Sequence, residues 1–168
     1  FDYHHPPLKS AIWSFKYKNA RGFAKIFAGR IYEEIVSELS DNIDANSREK
    51  YMIVPIPLHK SRLKERGYNQ SALLAKELVK YDVVGIFEFT PDILIRVRKT
   101  KPQARAEKRR ARLANLRDAF LCPDYTRVRG RTIILIDDIT TTGATLLSAK
   151  QALSLARPRK ILAFTIAH

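Results

Sequence analysis

Ile133-Ile134-Leu135-Ile136-Asp137-Asp138-Ile139-Thr140-Thr141-Thr142-Gly143-Ala144-Thr145 is the stretch that decides the fold class. Four consecutive aliphatics read as a strand buried on both faces, as in a parallel sheet. Two carboxylates follow where that strand is expected to end. Three threonines, a glycine and a fourth threonine then lead into a helical pattern from Leu146 to Ala156. In open α/β sheets, ligands bind in the crevice beyond the carboxyl ends of the strands. A hydroxyl- and glycine-containing loop that opens a helix is suited to phosphate. Its backbone N–H groups lack intrahelical partners, and the helix dipole favours an anion there. Carboxylates just upstream suit a sugar diol or a phosphate-bound Mg²⁺. Together they point to a ligand carrying both a phosphate and a ribose.

Thr141 or Thr142 as an ordinary N-cap would account for a lone Thr-Gly. It does not account for two neighbouring acids that repel each other, or for four threonines between residues 140 and 145.

Around this stretch, strand-helix alternation from residue 51 onward predicts a mostly parallel sheet flanked by helices. Strands are expected at Tyr51–Ile56, Asp92–Val97, Ala119–Leu121, Thr132–Ile136 and Lys160–Ala167. Tyr68–Tyr81 and Gly143–Ala156 read as helices, Glu107–Leu116 as a short basic helix, and Leu58–Gly67 as a basic connection. Residues 8–39 carry apolar side chains at helical spacing, with a break near Asn19 and Gly22. Trp13 and Tyr17 stand at i and i+4 among Lys9, Lys16 and Lys18; the pattern reads as a helix with one face on the core, and a nucleic-acid or membrane-surface face is the alternative. The 168 residues predict one domain, with 1–50 a helical N-terminal region and 51–168 the α/β core.

Net charge is +14, and residues 96–117 hold ten Lys/Arg against one acid, Glu107, or +9 of that total. So basic an arm points to an anionic partner, with an exposed arm kept soluble by its charge as the alternative. No apolar run approaches the ~20 residues of a membrane span. The single cysteine, Cys122, excludes an internal disulfide and a cysteine-rich zinc site. A cytoplasmic location is expected.

A second constellation is Val54-Pro55-Ile56-Pro57-Leu58-His59-Lys60-Ser61-Arg62-Leu63-Lys64-Glu65-Arg66-Gly67-Tyr68-Asn69-Gln70. A strand running into a proline-bounded turn and five basic side chains makes a cationic rim suited to a pyrophosphate. The alternative is a solvated basic loop.

Residues 133–145 resemble the phosphoribosyl pyrophosphate (PRPP) signature of type I phosphoribosyltransferases, matching at Asp137, Asp138, Ile139, Thr141, Thr142, Gly143 and Thr145. Residues 55–70 resemble the hallmark of the ComF family, phosphoribosyltransferase-like proteins of DNA uptake in naturally competent bacteria. Lys101-Pro102-Gln103, Arg112, Asn115, Ala119-Phe120, and Tyr3, Pro7-Leu8 and Lys16-Tyr17 resemble further parts of that family. The resemblance implies a type I phosphoribosyltransferase-like α/β fold with an N-terminal helical hood. It implies that Asp137 and Asp138 address the ribose hydroxyls, directly or through Mg²⁺, water-bridged contacts included. Thr140, Thr141, Thr142, Gly143, Ala144 and Thr145 would hold the 5′-phosphate. Leu58, His59, Lys60, Arg66, Lys99, Gln103 and Arg109 are the pyrophosphate candidates, the last three on a mobile loop that closes over the substrate in such enzymes. The implied function is a Mg·PRPP-binding protein linked to DNA uptake at the inner membrane. Two alternatives stand beside it: an active phosphoribosyltransferase of nucleotide salvage, and a single-stranded DNA-binding module that keeps the PRPP site as a scaffold. No catalytic base is evident. Many ComF proteins begin with a cysteine-rich zinc module; this sequence lacks those cysteines, so zinc-dependent DNA binding is not carried over.

Overall fold

The computed structural model describes residues 6–18, 20–40, 50–97 and 119–167. Two helices come first, α1 (Pro6–Tyr17) and α2 (Phe23–Leu39), followed by strand β1 (Tyr51–Pro55). Prolines 6 and 7 suit the first turn of α1, where their missing N–H groups have no intrahelical partner in any case. Then come α3 (Lys60–Arg66), α4 (Gln70–Val79), β2 (Phe87–Phe89), β3 (Ile95–Arg96) and β4 (Phe120–Leu121). The chain continues through β5 (Thr132–Ile139), α5 (Ala144–Ser154) and β6 (Lys160–Ala167).

Four strands form one parallel sheet in the order β2-β1-β5-β6. β3 and β4 pair antiparallel as a separate ribbon, Ile95 opposite Leu121 and Arg96 opposite Phe120. The central pair β1 and β5 is aliphatic because helices cover both faces. Alternation along the strands sorts the side chains into two cores. Ile53, Ile134 and Ile136 face one core with Ile12 and Phe15 of α1, Phe27, Ile31 and Ile35 of α2, and Leu74 and Leu78 of α4. Met52, Val54, Ile133 and Leu135 face the other, with Ala149 and Leu153 of α5 and Ile93, Leu94 and Phe120 around the ribbon. This three-layer arrangement is a type I phosphoribosyltransferase-like α/β fold.

Four expectations need correction. β5 runs on to Ile139, so the two acids lie within the strand; β6 supplies the pairing, with Asp137 opposite Thr165 and Ile139 opposite Ala167. The expected strand over Asp92–Val97 shrinks to Ile95–Arg96, because Ile93 and Leu94 turn into the second core instead of pairing. The basic connection over Leu58–Gly67 contains a helix, α3, begun by His59 and ended by Gly67 in the left-handed region at φ 76°. Strand β2 was not anticipated. Asp82 sets it up by accepting from the Gly85 and Phe87 N–H groups at 2.9 and 2.6 Å. The expected helix over Glu107–Leu116 lies outside the described residues.

Leu74 is fully buried between α4 and the sheet, whereas Val83 is almost wholly exposed. Leu74→Ala should cost about 2–5 kcal/mol in urea unfolding, and Val83→Ala no more than about 0.5 kcal/mol. Equal losses would contradict this placement of the core.

Candidate functional site

β1 leaves the sheet after Pro55, which pairs with Ile136, while β5 continues to Ile139. Asp137 and Asp138 therefore sit at the carboxyl edge of the sheet, just past the end of its neighbour. Both are buried, at 9% and 8% exposure, so every carboxylate oxygen left without a partner is costly. Asp137 Oδ1 accepts from Ser71 Oγ and from the Asp138 N–H, each at 2.9 Å. Asp138 Oδ1 accepts from the Ile139 N–H at 2.7 Å, and its Oδ2 meets Lys16 Nζ of α1 at 3.0 Å. Burial, reinforced by the neighbouring Asp138 charge, pushes the Asp137 carboxyl up to about 7. The Ser71 hydroxyl, the Asp138 N–H and the Lys16 ammonium oppose that rise.

The loop after β5 is held at both ends. The Thr140 N–H donates to Ala167 O at 3.1 Å, and Thr140 Oγ1 accepts from the Gly143 N–H at 3.1 Å. Gly143 adopts φ 70°, ψ −3°, and is itself the N-cap of α5, with no side-chain bond to the first turn. An L side chain at that φ is strained, which explains glycine here. Neither Thr141 nor Thr142 caps the helix. Thr141 is exposed, Thr142 and Thr145 are half-buried and Ala144 is buried. The first-turn N–H groups of α5 thus open toward the same edge of the sheet as the acids, the setting in which a helix N-terminus takes an anion.

The second constellation is brought alongside, with its side chains divided among several roles. Leu58 is half-buried in the turn after β1. His59 caps α3, its Nδ1 accepting from the Ser61 N–H at 3.2 Å. Lys60 is exposed on the first turn of α3. Arg66 faces α1: its Nη2 donates to Tyr17 OH at 3.4 Å, its guanidinium lies 5.2 Å from the Tyr17 ring, and its Nη1 donates to Gln70 Oε1 at 3.2 Å. Lys99, Gln103 and Arg109 lie outside the described residues.

Residues 68–71 act as a joint between elements. Tyr68 OH donates to the Phe15 carbonyl. Asn69 Nδ2 donates to Ile56 O at 3.0 Å, and its Oδ1 caps α4 by accepting from the Ser71 N–H at 3.1 Å. Gln70 Nε2 donates to Lys16 O at 3.4 Å. Ser71 reaches Asp137. Three participants escaped the sequence reading: Ser71, Lys16 as a partner of Asp138, and Arg96 on β3. Burial, then the Arg62 charge, lower the Arg96 pKa from its ordinary value, and Asp137 opposes the shift, which places this guanidinium in the field of the acids. Arg96 was visible in sequence only as the first member of the basic arm. Ser71 follows the Asn-Gln pair directly, and its place in the first turn of a helix that begins at the carboxyl edge of the sheet was the available signal. Nothing in sequence pointed from Lys16 to Asp138.

Two adjacent carboxylates are hard oxygen donors of the kind Mg²⁺ takes. Among the described residues no three His, Cys, Asp or Glu side chains converge on one point. An ion at Asp137 and Asp138 would therefore complete its shell with water and with ligand oxygens, and the residues fit a metal that arrives with its substrate. Among the described residues no helix is long and apolar enough to cross a membrane.

No family model matches the chain. It is similar to competence protein F of Haemophilus influenzae, 30% identical over 142 residues, which are 83% of this chain and 58% of that protein. It is 33% identical over 117 residues to competence protein ComFC of Bacillus subtilis, covering 69% of this chain and 44% of that one. DNA utilization protein YhgH of Salmonella typhimurium is 30% identical over 149 residues, 88% of this chain and 61% of YhgH. The chain thus spans between 44% and 61% of the length of these relatives.

The raised Asp137 pKa predicts a pH signature. An unfolded carboxyl loses its proton near 3.8 and the folded one near 7, so between those values the native state holds the extra proton. Stability from this group is full below pH ~4 and declines as pH rises toward 7, by up to about 1.4 kcal/mol per pH unit. Asp137→Asn keeps Oδ1 and cannot ionise, so its urea-unfolding stability relative to the parent should rise steadily from pH 4 to pH 7. A difference that stays constant with pH would refute the buried, raised carboxyl.

Proposed function

This chain belongs to the ComF family, and from that premise we propose that it binds a 5-phosphoribosyl ligand, PRPP or a close relative, together with Mg²⁺ at the carboxyl edge of its parallel sheet, and that it serves DNA uptake or utilization. The observation that carries the reading is the juxtaposition of two buried carboxylates on β5 with an N-terminus of α5 whose N-cap, Gly143, has no side chain to satisfy the first turn. One end of the site suits a ribose diol and the other a phosphate monoester, joined by a loop of threonines. The setting in DNA metabolism rests on the names of the relatives, competence proteins F and ComFC and DNA utilization protein YhgH.

Each part of the site has its own role in this reading. Asp137 and Asp138 accept hydrogen bonds from the ribose hydroxyls and hold the sugar. Gly143 lets the backbone approach the 5′-phosphate, while the first-turn N–H groups of α5 and the hydroxyls of Thr141, Thr142 and Thr145 surround it. Lys60, Arg62 and Arg96 supply positive charge for a pyrophosphate. A bound Mg²⁺ neutralises phosphate charge and so makes pyrophosphate a better leaving group. If transfer to an incoming nitrogen occurs, the protein contributes placement and electrostatics.

A second reading, nucleic-acid binding on another face, has its own support. Trp13 and Tyr17 stand out from α1, 51% and 58% exposed, with ring centroids 5.9 Å apart. Lys18 lies 5.0 Å from the Trp13 ring and Arg66 5.2 Å from that of Tyr17. α1 does pack one face on the core, through Ile12 and Phe15, which leaves these rings outward. Aromatic rings among cations are the usual platform for unpaired bases, worth ~1–3 kcal/mol per stacked base. The two readings are compatible.

Calorimetry with PRPP tests the first. Binding should require Mg²⁺, and Asp137→Ala combined with Asp138→Ala should abolish it; an undiminished heat in the double variant would move the ligand elsewhere. For the second, Trp13→Ala with Tyr17→Ala should weaken single-stranded DNA binding at least tenfold, a loss of about 1.4 kcal/mol or more. Engagement of five phosphates gives log K against log salt a slope of about −3.5. A flat salt response with unchanged affinity would remove the DNA reading.

A further inference from the structure

We infer that Lys16 is the resident counter-ion of the carboxylate pair and changes places with a divalent cation: Mg²⁺ at Asp138 requires Lys16 to leave, and Lys16 at Asp138 holds the metal off. This rests on the proposed Mg–phosphoribosyl reading of the site and adds a control element to it.

The geometry is specific. Asp138 Oδ1 is engaged by the Ile139 N–H at 2.7 Å, which leaves Oδ2 as the oxygen that meets a cation, and Lys16 Nζ is there at 3.0 Å. The ammonium is largely enclosed, with its side chain 19% exposed, and so is the carboxylate at 11%. Screening is weak in such a place, so a divalent ion and an ammonium on the same carboxylate oxygen repel strongly. The backbone beneath Lys16 is fixed, because Gln70 holds Lys16 O at 3.4 Å and Tyr68 holds the neighbouring Phe15 O. The side chain alone can therefore move. Lysine is the cation suited to such an exchange. It is a compact point charge on a flexible four-carbon stem, without the rigid fork by which arginine locks onto a carboxylate. Lys16 also differs from Arg66 of α3, which is taken up by Tyr17 and Gln70. Among the described residues the other groups near the acids are Ser71, a neutral hydroxyl on Asp137, Arg96, whose charge acts on Asp137, and Tyr68, on whose hydroxyl the Asp138 charge acts.

Once displaced, the ammonium sits at the mouth of the site, where it meets the phosphates that accompany the metal. The exchange thus gates for a complex of cation and anion over the bare cation, which must evict Lys16 without offering it a new partner.

The test uses Mn²⁺ as the probe, counted free or bound by electron paramagnetic resonance, with no phosphoribosyl ligand present. Lys16→Gln should bind Mn²⁺ about tenfold tighter or more than the parent, Lys16→Arg should stay as weak as the parent, and adding Asp138→Asn to Lys16→Gln should erase the gain. Equal Mn²⁺ affinity in folded Lys16→Gln and parent overturns the exchange. Should Lys16→Gln not fold, the unmodified chain still decides: its single tryptophan, Trp13, lies one turn before Lys16 on α1, and saturating Mg²⁺ should change its emission in the parent and not in Asp138→Asn, with the same response in both overturning the proposal. PRPP calorimetry on the same proteins separates the two levels. Mn²⁺ gain without any PRPP binding supports the exchange and defeats the phosphoribosyl reading; Mg²⁺-dependent PRPP binding with no Mn²⁺ gain does the reverse.

Discussion

Two adjacent carboxylates held inside the end of a buried strand are the constraint around which this structure is arranged. Burying a carboxylate is unfavourable unless its oxygens find donors or a cation. β5 provides two backbone N–H groups itself, those of Asp138 and Ile139. Among the described residues the other partners come from far along the chain: Ser71 from the first turn of α4 and Lys16 from the last turn of α1. Where α4 begins and where α1 ends are therefore set by the acids as much as by the core. The Asn69 cap, tied to Ile56 O at 3.0 Å, delivers Ser71 to Asp137 in register.

Residues 66–71 follow from the same constraint. Read as sequence, Arg-Gly-Tyr-Asn-Gln is the tail of a cationic rim. In the fold Arg66, Tyr68 and Gln70 hold α1, Asn69 holds Ile56 O just past β1, and Ser71 next to them reaches Asp137 on β5. α1 has 12 residues, a length at which an isolated helix is marginal in water. Ile12 and Phe15 anchor its inner face, and its last turn is gathered by Tyr68, Gln70 and Arg66. A net hydrogen bond contributes about 0.5–1.5 kcal/mol and an exposed cation–π contact about 0.5–1 kcal/mol. Each is modest, but all act on three consecutive residues, 15 to 17, and the middle one carries the ammonium that meets Asp138.

The fold was legible wherever hydrophobic pattern and length agreed. Four aliphatics in a row gave a central strand, and β1, α4, α5 and β6 followed from their own periodicity. Failures had local causes. Phe87-Glu88-Phe89 is too short to stand out, and its turn depends on Asp82. Leu58–Gly67 holds so much charge that the cap at His59 and the stop at Gly67 went unread. Ile93 and Leu94 are as apolar as strand residues yet serve a core. The acids and the Thr-Gly loop of the candidate site were plain in sequence because they are contiguous. Lys16, Ser71 and Arg96 were not, because their relation to the acids exists only once the sheet is assembled. Lys99, Gln103 and Arg109 lie outside the described residues and stand outside this contrast.

A purely structural account of the acid pair meets an energetic objection. Replacing buried ionic groups with well-packed apolar ones of similar volume is often neutral or stabilising by about 1–4 kcal/mol, and a strand end between two aliphatic cores has ready access to such packing. Asp137 makes the point more sharply. With burial around it and the Asp138 charge beside it, its carboxyl is raised to about 7, and it is Asp138 that Lys16 meets. What the pair does supply is a concentrated set of acceptor oxygens at the carboxyl edge of the sheet, on the strand that leads into α5. On the proposed reading, the hydroxyls and the cation of a ligand are what give those oxygens their use.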